Sequence, residues 1–234
     1  MQNPAVENGY PEGRLEQAAA VHARLLEFYG YPDLSQPSQP LDELVNTILS
    51  QNTNDRNRDL AYGRLRETLP TWEAVRGAPP EVVMECIRPA GLANQKGPRI
   101  QAVLRAISEE RGNLDLEFLR DLSPDDAHAW LVKFNGVGPK TAAIVLVFSL
   151  GMPAFPVDTH VHRVTGRIGL RPERMNAEQA HTYLAGMFPR HEYGPAHLNI
   201  IRLGREICHA RNPRCPVCPI RDLCDYGRAT AGLE

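Results

Sequence analysis

The twelve residues from Thr141 to Met152 carry no charged side chain, and they constrain the rest of the chain more than any other stretch. A bilayer span needs about 20 apolar residues, so this run is too short to cross a membrane and reads as a helix buried on all sides. Such a helix must be enclosed by others, and 234 residues are enough to enclose it. Leu41, Leu44, Val45, Ile48 and Leu49 form one amphipathic face behind Pro40; Ile100, Val103, Leu104 and Ile107 form another, and Ala196, Ile200, Leu203 and Ile207 a third. Glu16 to Tyr29, Asp55 to Leu69, Thr71 to Arg76 and Pro80 to Arg88 read as further helices, with Gly91-Leu92 as a turn. About six helices are expected before Gly151. Pro153 and Pro156 then break the chain, Val157-Asp158-Thr159-His160 opens a helix reaching about Ile168, and Asn176 with Gln179 starts another. Residues 1 to about 15 are expected to be a loose lead-in, and Gly30 to Pro40 a proline-rich linker. There is no sustained period-two pattern and no internal repeat, so the expected fold class is all-α.

The segment that feeds the buried run is the richest in chemistry. Ser123 as N-cap, Pro124 at the first helical position and Asp126 as partner in a capping box mark a helix striped by Ala127, Trp130, Leu131 and Phe134. Gly136 and Gly138 then free the backbone for positive φ and close approach, and Pro139 presets a second helix. This is the outline of a helix-hairpin-helix. Its second helix offers unpaired N–H groups and a partial positive charge, which suit a nucleic-acid phosphate. The same positive end disfavours an ammonium, so Lys140 in the first turn is placed to act as an amine nucleophile. Only Lys96, Lys133 and Lys140 are lysines; arginine would serve a phosphate as well but cannot supply a free amine. The bland alternative is a glycine-rich turn with a surface lysine.

A net charge of −2 does not mark a nucleic-acid binder, but the distribution is uneven. Lys133, Lys140, Arg163 and Arg167 face a single acid, Asp158, between Leu131 and Leu170. Arg202, Arg205, Arg211 and Arg214 face only Glu206 between Ile201 and Arg214. A local basic face is expected, unless these are solvated charges. The N-terminal stretch has neither a basic start nor an apolar core, so a cytoplasmic location without a signal peptide is expected.

Four of the five cysteines, Cys208, Cys215, Cys218 and Cys224, fall in the last 27 residues with the spacing C-x6-C-x2-C-x5-C. Without secretory features this argues for a metal site over disulfides, and the spacing alone leaves structural zinc and an iron–sulfur cluster both open. Cys86 reads as a small buried side chain.

Taken in order, the hairpin with its lysine, the Val157-Asp158-Thr159-His160 stretch and the four-cysteine loop resemble the endonuclease III family of DNA glycosylases, over about Leu41 to Tyr226. The resemblance implies a helix-hairpin-helix DNA glycosylase fold: two helical domains with a DNA groove between them. One is a six-helix domain at 36–151, with the hairpin at about 123–151. The other, at 1–35 plus 152–234, holds a [4Fe–4S] cluster on the four cysteines. The resemblance further implies a monomeric, nucleoid-associated glycosylase and AP lyase of base excision repair. Its partner would be double-stranded DNA containing damaged bases, oxidised pyrimidines above all, or abasic sites, with no membrane involved. Lys140 matches the family's nucleophile and Asp158 its catalytic aspartate. Gly136, Val137 and Gly138 match the phosphate-holding hairpin, Leu92 the apolar wedge, and the Gln51-Asn52 pair overlies the amide that fills the hole left by the flipped base. Arg211 and Arg214, inside the loop closed by Cys208 and Cys215, would reach phosphates. Outside the family, Asp158 reads as an N-cap, Leu92 as a core leucine, Gln51-Asn52 as a polar helix end and the two arginines as loop charges.

Asn135 stands where the family commonly has proline, Pro139 where a basic residue is frequent, and Ala93 where an aromatic is common; Asn52 is in direct register with the usual glutamine. These departures surround the lesion rather than the nucleophile and bear on substrate range. The rivals are a thymine or adenine mismatch glycosylase, and a non-catalytic helix-hairpin-helix DNA-binding protein.

Overall fold

The computed structural model describes residues 6–7 and 9–230. The chain divides into two compact units, one running from Pro37 to Met152 and the other built from both chain ends, up to Gln36 and from Pro153.

The chain-end unit begins with two-residue strands, β1 (Val6–Glu7) and β2 (Tyr10–Pro11), paired antiparallel. The expected loose lead-in is therefore held down from Gly9 onward, although residues 1–5 and 8 lie outside the described residues. The Tyr10 ring meets Tyr183 edge-on at 4.9 Å, and its hydroxyl donates to the Tyr183 carbonyl at 2.9 Å. Helix α1 (Arg14–Tyr29) follows, burying Ala18, Val21 and Leu25, and ends at Gly30.

The continuous unit contains α2 (Pro40–Ser50), α3 (Asp55–Thr68), α4 (Trp72–Gly77), α5 (Pro80–Ile87), α6 (Ala93–Arg111), α7 (Pro124–Val132) and α8 (Pro139–Ile144). That is seven α-helices rather than six. Pro79 and Pro80 have no N–H to donate, so the chain leaves α4 and must restart as α5. Asn54 and Thr71 cap α3 and α4 by accepting from the N–H groups of Asn57 and Ala74. Ser123 caps α7 through the Asp126 N–H, and its hydroxyl bonds the Asp126 carboxylate, so the cap forms without the reciprocal half of the box.

The apolar run continues α8 but widens after Ile144 into a π turn over Val145–Ser149, with the Leu150 N–H reaching back to the Val145 carbonyl. Thr141, Ala142, Ala143, Val145, Leu146, Ser149 and Leu150 are buried. The expectation of burial on every side needs one correction, because Ile144, Val147 and Phe148 form a half-buried stripe.

The chain-end unit resumes with α9 (Thr159–Ile168), α10 (Ala177–Ala185), α11 (Tyr193–Glu206) and α12 (Asp225–Thr230). Asn176 and Gln179 make a complete capping box at α10. Helix α11 is the spine, packing on α9 and α1, while α12 packs on α9. No helix among the described residues is long and apolar enough to cross a membrane.

Candidate functional site

In the continuous unit the hairpin is built from residues 133–139. Gly136 has φ 94°, a left-handed value that only glycine adopts without strain, and the Val137 N–H closes the turn on the Phe134 carbonyl at 3.0 Å. Val137 is buried and anchors the loop, while Gly138 is exposed and caps α8. The N–H groups of Gly136, Gly138 and Lys140 find no acceptor among the described residues. They form a donor-rich rim of the kind that binds phosphate oxygens. Lys140 follows in the first turn of α8, half-buried, and its Nζ has no hydrogen bond or ion pair among the described residues.

Two other predicted elements lie in this unit. Leu92 is the N-cap of α6 with φ 51° and is 46% exposed. A bulky residue that is both left-handed and exposed is not a core leucine. At the end of α2, Asn52 is exposed with φ 52°, whereas Gln51 is half-buried and its Oε1 accepts from Arg99 at 2.8 Å.

Between these loops sits Lys96, 2% exposed, whose Nζ donates to the carbonyls of Leu49 and Ala90, both at 2.8 Å. Each acceptor lies two residues before a predicted DNA-facing position, Gln51 and Leu92. Burial pushes the Lys96 pKa down from its ordinary value. A signal was present in the sequence, since Lys96 falls on the apolar face of Ile100, Val103 and Ile107, where a lysine needs internal acceptors. Arg99 carries no such signal.

In the chain-end unit Asp158 caps α9, Oδ1 accepting from the Val161 N–H at 2.7 Å. Its other carboxylate oxygen has no partner among the described residues, so capping occupies half of the group and leaves half for chemistry. His160, in the first turn of the helix, has its pKa lowered by burial, against an opposing pull from Asp158 and with further lowering from Arg163 and Arg205. Its Nδ1 accepts from Arg163 at 3.1 Å.

None of the four C-terminal cysteines is paired in a disulfide, and they line one cavity with Val164, Ile168, Leu203, Ile207 and Ile220. The Cys218 thiol is pushed up to about 11 by burial, with the other three thiols adding to the effect. Cys224 Sγ accepts from the Gly227 N–H at 3.3 Å, and Cys208 Sγ from Arg167 at 3.4 Å. Four sulfurs around an apolar cavity, with N–H donors aimed at them, are a fitting donor set for an iron–sulfur cluster.

Arg163 donates to the carbonyls of Cys208 and Gly204, and Arg167 to those of His209 and Ala210. These two members of the expected basic face are thus turned inward to hold the cysteine loop. Arg211 and Arg214 are exposed, without a side-chain partner among the described residues.

The profile of the HhH-GPD superfamily base excision DNA repair protein matches residues 45–190. That of the iron-sulfur binding domain of endonuclease III matches residues 208–224, beginning and ending on the outer cysteines. The chain is 33% identical to endonuclease III of Thermotoga maritima, over 85% of this chain and 88% of that protein. The chain belongs to the endonuclease III family. A second relative, endonuclease III of Rickettsia conorii, is 37% identical over 78% of this chain and 82% of its own. Among solved structures, a non-covalent endonuclease III–DNA complex superposes with a TM-score of 0.80 at 27% identity, covering 92% of this chain and 97% of that one. A thermostable thymine-DNA glycosylase shares the fold, with a TM-score of 0.79 at 19% identity over 93% and 100%. As an endonuclease III family member the chain carries a [4Fe–4S] cluster in its C-terminal cysteine loop.

Proposed function

We propose that this base excision repair DNA glycosylase and AP lyase removes oxidised pyrimidines from double-stranded DNA and cuts the strand through a Schiff base at Lys140. The observation that carries this reading is the hairpin, where a lysine with no internal partner follows a rim of unpaired N–H groups. Phosphate binding at that rim would bring the DNA backbone to the amine.

A base inside the stack is out of reach, so the damaged nucleotide is flipped outward. Leu92, already exposed and held in its left-handed conformation, enters the stack as the wedge and offsets part of the unstacking cost. Asn52 fills the opposite side, because Gln51 is engaged by Arg99 while Asn52 projects free. The Lys140 amine forms a bond to C1′ as the bond from C1′ to the base breaks, and the base leaves with a proton. Opening of the sugar gives the imine, and loss of a C2′ proton expels the 3′ phosphate. The free oxygen of Asp158 stabilises positive charge on the sugar and takes part in the proton transfers. Arg211 and Arg214 contact phosphates from the cysteine loop. Held by Cys208, Cys215, Cys218 and Cys224, the cluster fixes that loop. The enzyme acts as a monomer on cytoplasmic, nucleoid DNA.

Borohydride trapping on a duplex with one thymine glycol tests this reading. Wild type is expected to form a covalent adduct, and Lys140→Ala to bind the duplex without trapping or cleaving. Trapping by Lys140→Ala would remove that lysine from its role. If wild type fails to trap but releases thymine from a G·T mismatch, the mismatch reading replaces this one; binding without base release favours the non-catalytic protein.

A further inference from the structure

Arg99, on α6, is engaged by two loops that the mechanism uses separately. Its Nη1 bonds Gln51, and its stem lies against the hairpin, where a Cβ on Gly136 would collide with Arg99 Cγ, Cδ and Nε. Gly136 is therefore required both for its positive φ and for the space it leaves to the arginine. Three residues earlier on α6, Lys96 fixes the root of the same 51–52 loop through the Leu49 carbonyl. A guanidinium only donates, so Gln51 must turn its oxygen towards Arg99, and that ties the side chain to α6.

We propose that Arg99 is a positioning residue for the opposite strand. By tying Gln51 to α6, it leaves Asn52 as the group that enters the stack, and through its stem at Gly136 it links the phosphate grip to the filling of the gap. This rests on the reading that the 51–52 loop enters the duplex. The rival roles are a plain phosphate contact and simple packing.

The test is single-turnover base release from a thymine glycol duplex by wild type, Arg99→Ala, Gln51→Ala, the double variant and Asn52→Ala. Each is repeated on a duplex with a tetrahydrofuran abasic site opposite the lesion, with thermal melting and visible absorbance as fold controls. Arg99→Ala is expected to be slowed roughly tenfold opposite adenine, as loss of one charge-assisted hydrogen bond would give, and much less opposite the abasic site. The double variant should be no slower than the slower single one. The slope of log affinity against log salt should stay that of wild type. Multiplying effects, equal losses on both duplexes, or a salt slope reduced by about one would each overturn the proposal, the last in favour of a phosphate contact. If Asn52→Ala responds to the opposite base as wild type does, the gap-filling reading itself fails; if it loses that response while Arg99 and Gln51 act independently, only the Arg99 inference fails. Should Arg99→Ala melt early, Arg99→Met keeps the stem on Gly136 without the donors and carries the same test.

Discussion

Leu92 has its backbone in a left-handed conformation that disfavours a branched side chain by about 1–2 kcal/mol, and it leaves nearly half its surface in solvent. Little core packing is lost by truncating it. Leu92→Gly is therefore expected to melt at a temperature no lower than wild type, and to gain up to about 1 kcal/mol, while base release slows sharply. Parallel melting and single-turnover assays check this; a destabilised but fully active variant would return Leu92 to ordinary packing. Residue by residue, the sequence was uneven as a guide. Lys140 was legible because it follows two glycines and a proline in a chain nearly without lysine, and Asp158 because Asp-Thr opens a helix. The pinning of Gln51 was not legible, since its partner Arg99 is 48 residues away and an arginine on a helix has no distinctive pattern. Lys96 lay between these cases, visible as a charge on an apolar stripe.

Helix α9 places a cap and a histidine in its first turn, and the two can be separated experimentally. Asparagine caps as well as aspartate, so Asp158→Asn should keep the stability of α9 and slow base release, whereas Asp158→Ala should lose both activity and about 1 kcal/mol. Equal melting losses in the two variants would contradict this division. His160 is held below its ordinary pKa mainly by burial, so the folded protein favours the neutral ring. As pH falls below the unfolded value of about 6.5, the unfolded chain takes the proton first and stability declines until the folded value is passed. Denaturant midpoints measured from about pH 7.5 down to about pH 5 should show a drop that is smaller in His160→Gln. The helices themselves followed from apolar spacing and proline. The π turn after Ile144 did not, because an all-apolar run carries no polar period that would distinguish a π turn from an α turn. Nor did the inward turn of Arg163 and Arg167, which depends on carbonyls contributed by a loop more than forty residues away.

The chain-end unit is closed by contacts between residues distant in sequence. Gln17 Nε2 donates to the carbonyls of Leu223 and Ile168 at 2.7 and 3.0 Å, and Arg14 pairs with Asp225 at 2.8 Å. Binding of the cluster by the cysteine loop therefore stabilises more than that loop. Cys218→Ser is expected to lose the visible absorbance of the cluster and to raise hydrogen exchange in α1, α9 and α12, with α2 to α6 protected as before. Uniform loss of protection would mean that the two units unfold as one. The same arrangement has a consequence for synthesis on the ribosome. Residues 37–152 can fold as soon as they emerge, whereas α1, made before them, must wait until its main partner α11 and the residues around Leu223 and Asp225 have been translated. The first helix to be made is thus among the last to be buried, and its apolar face at Val21 and Leu25 stays open to chaperones for most of the chain's synthesis.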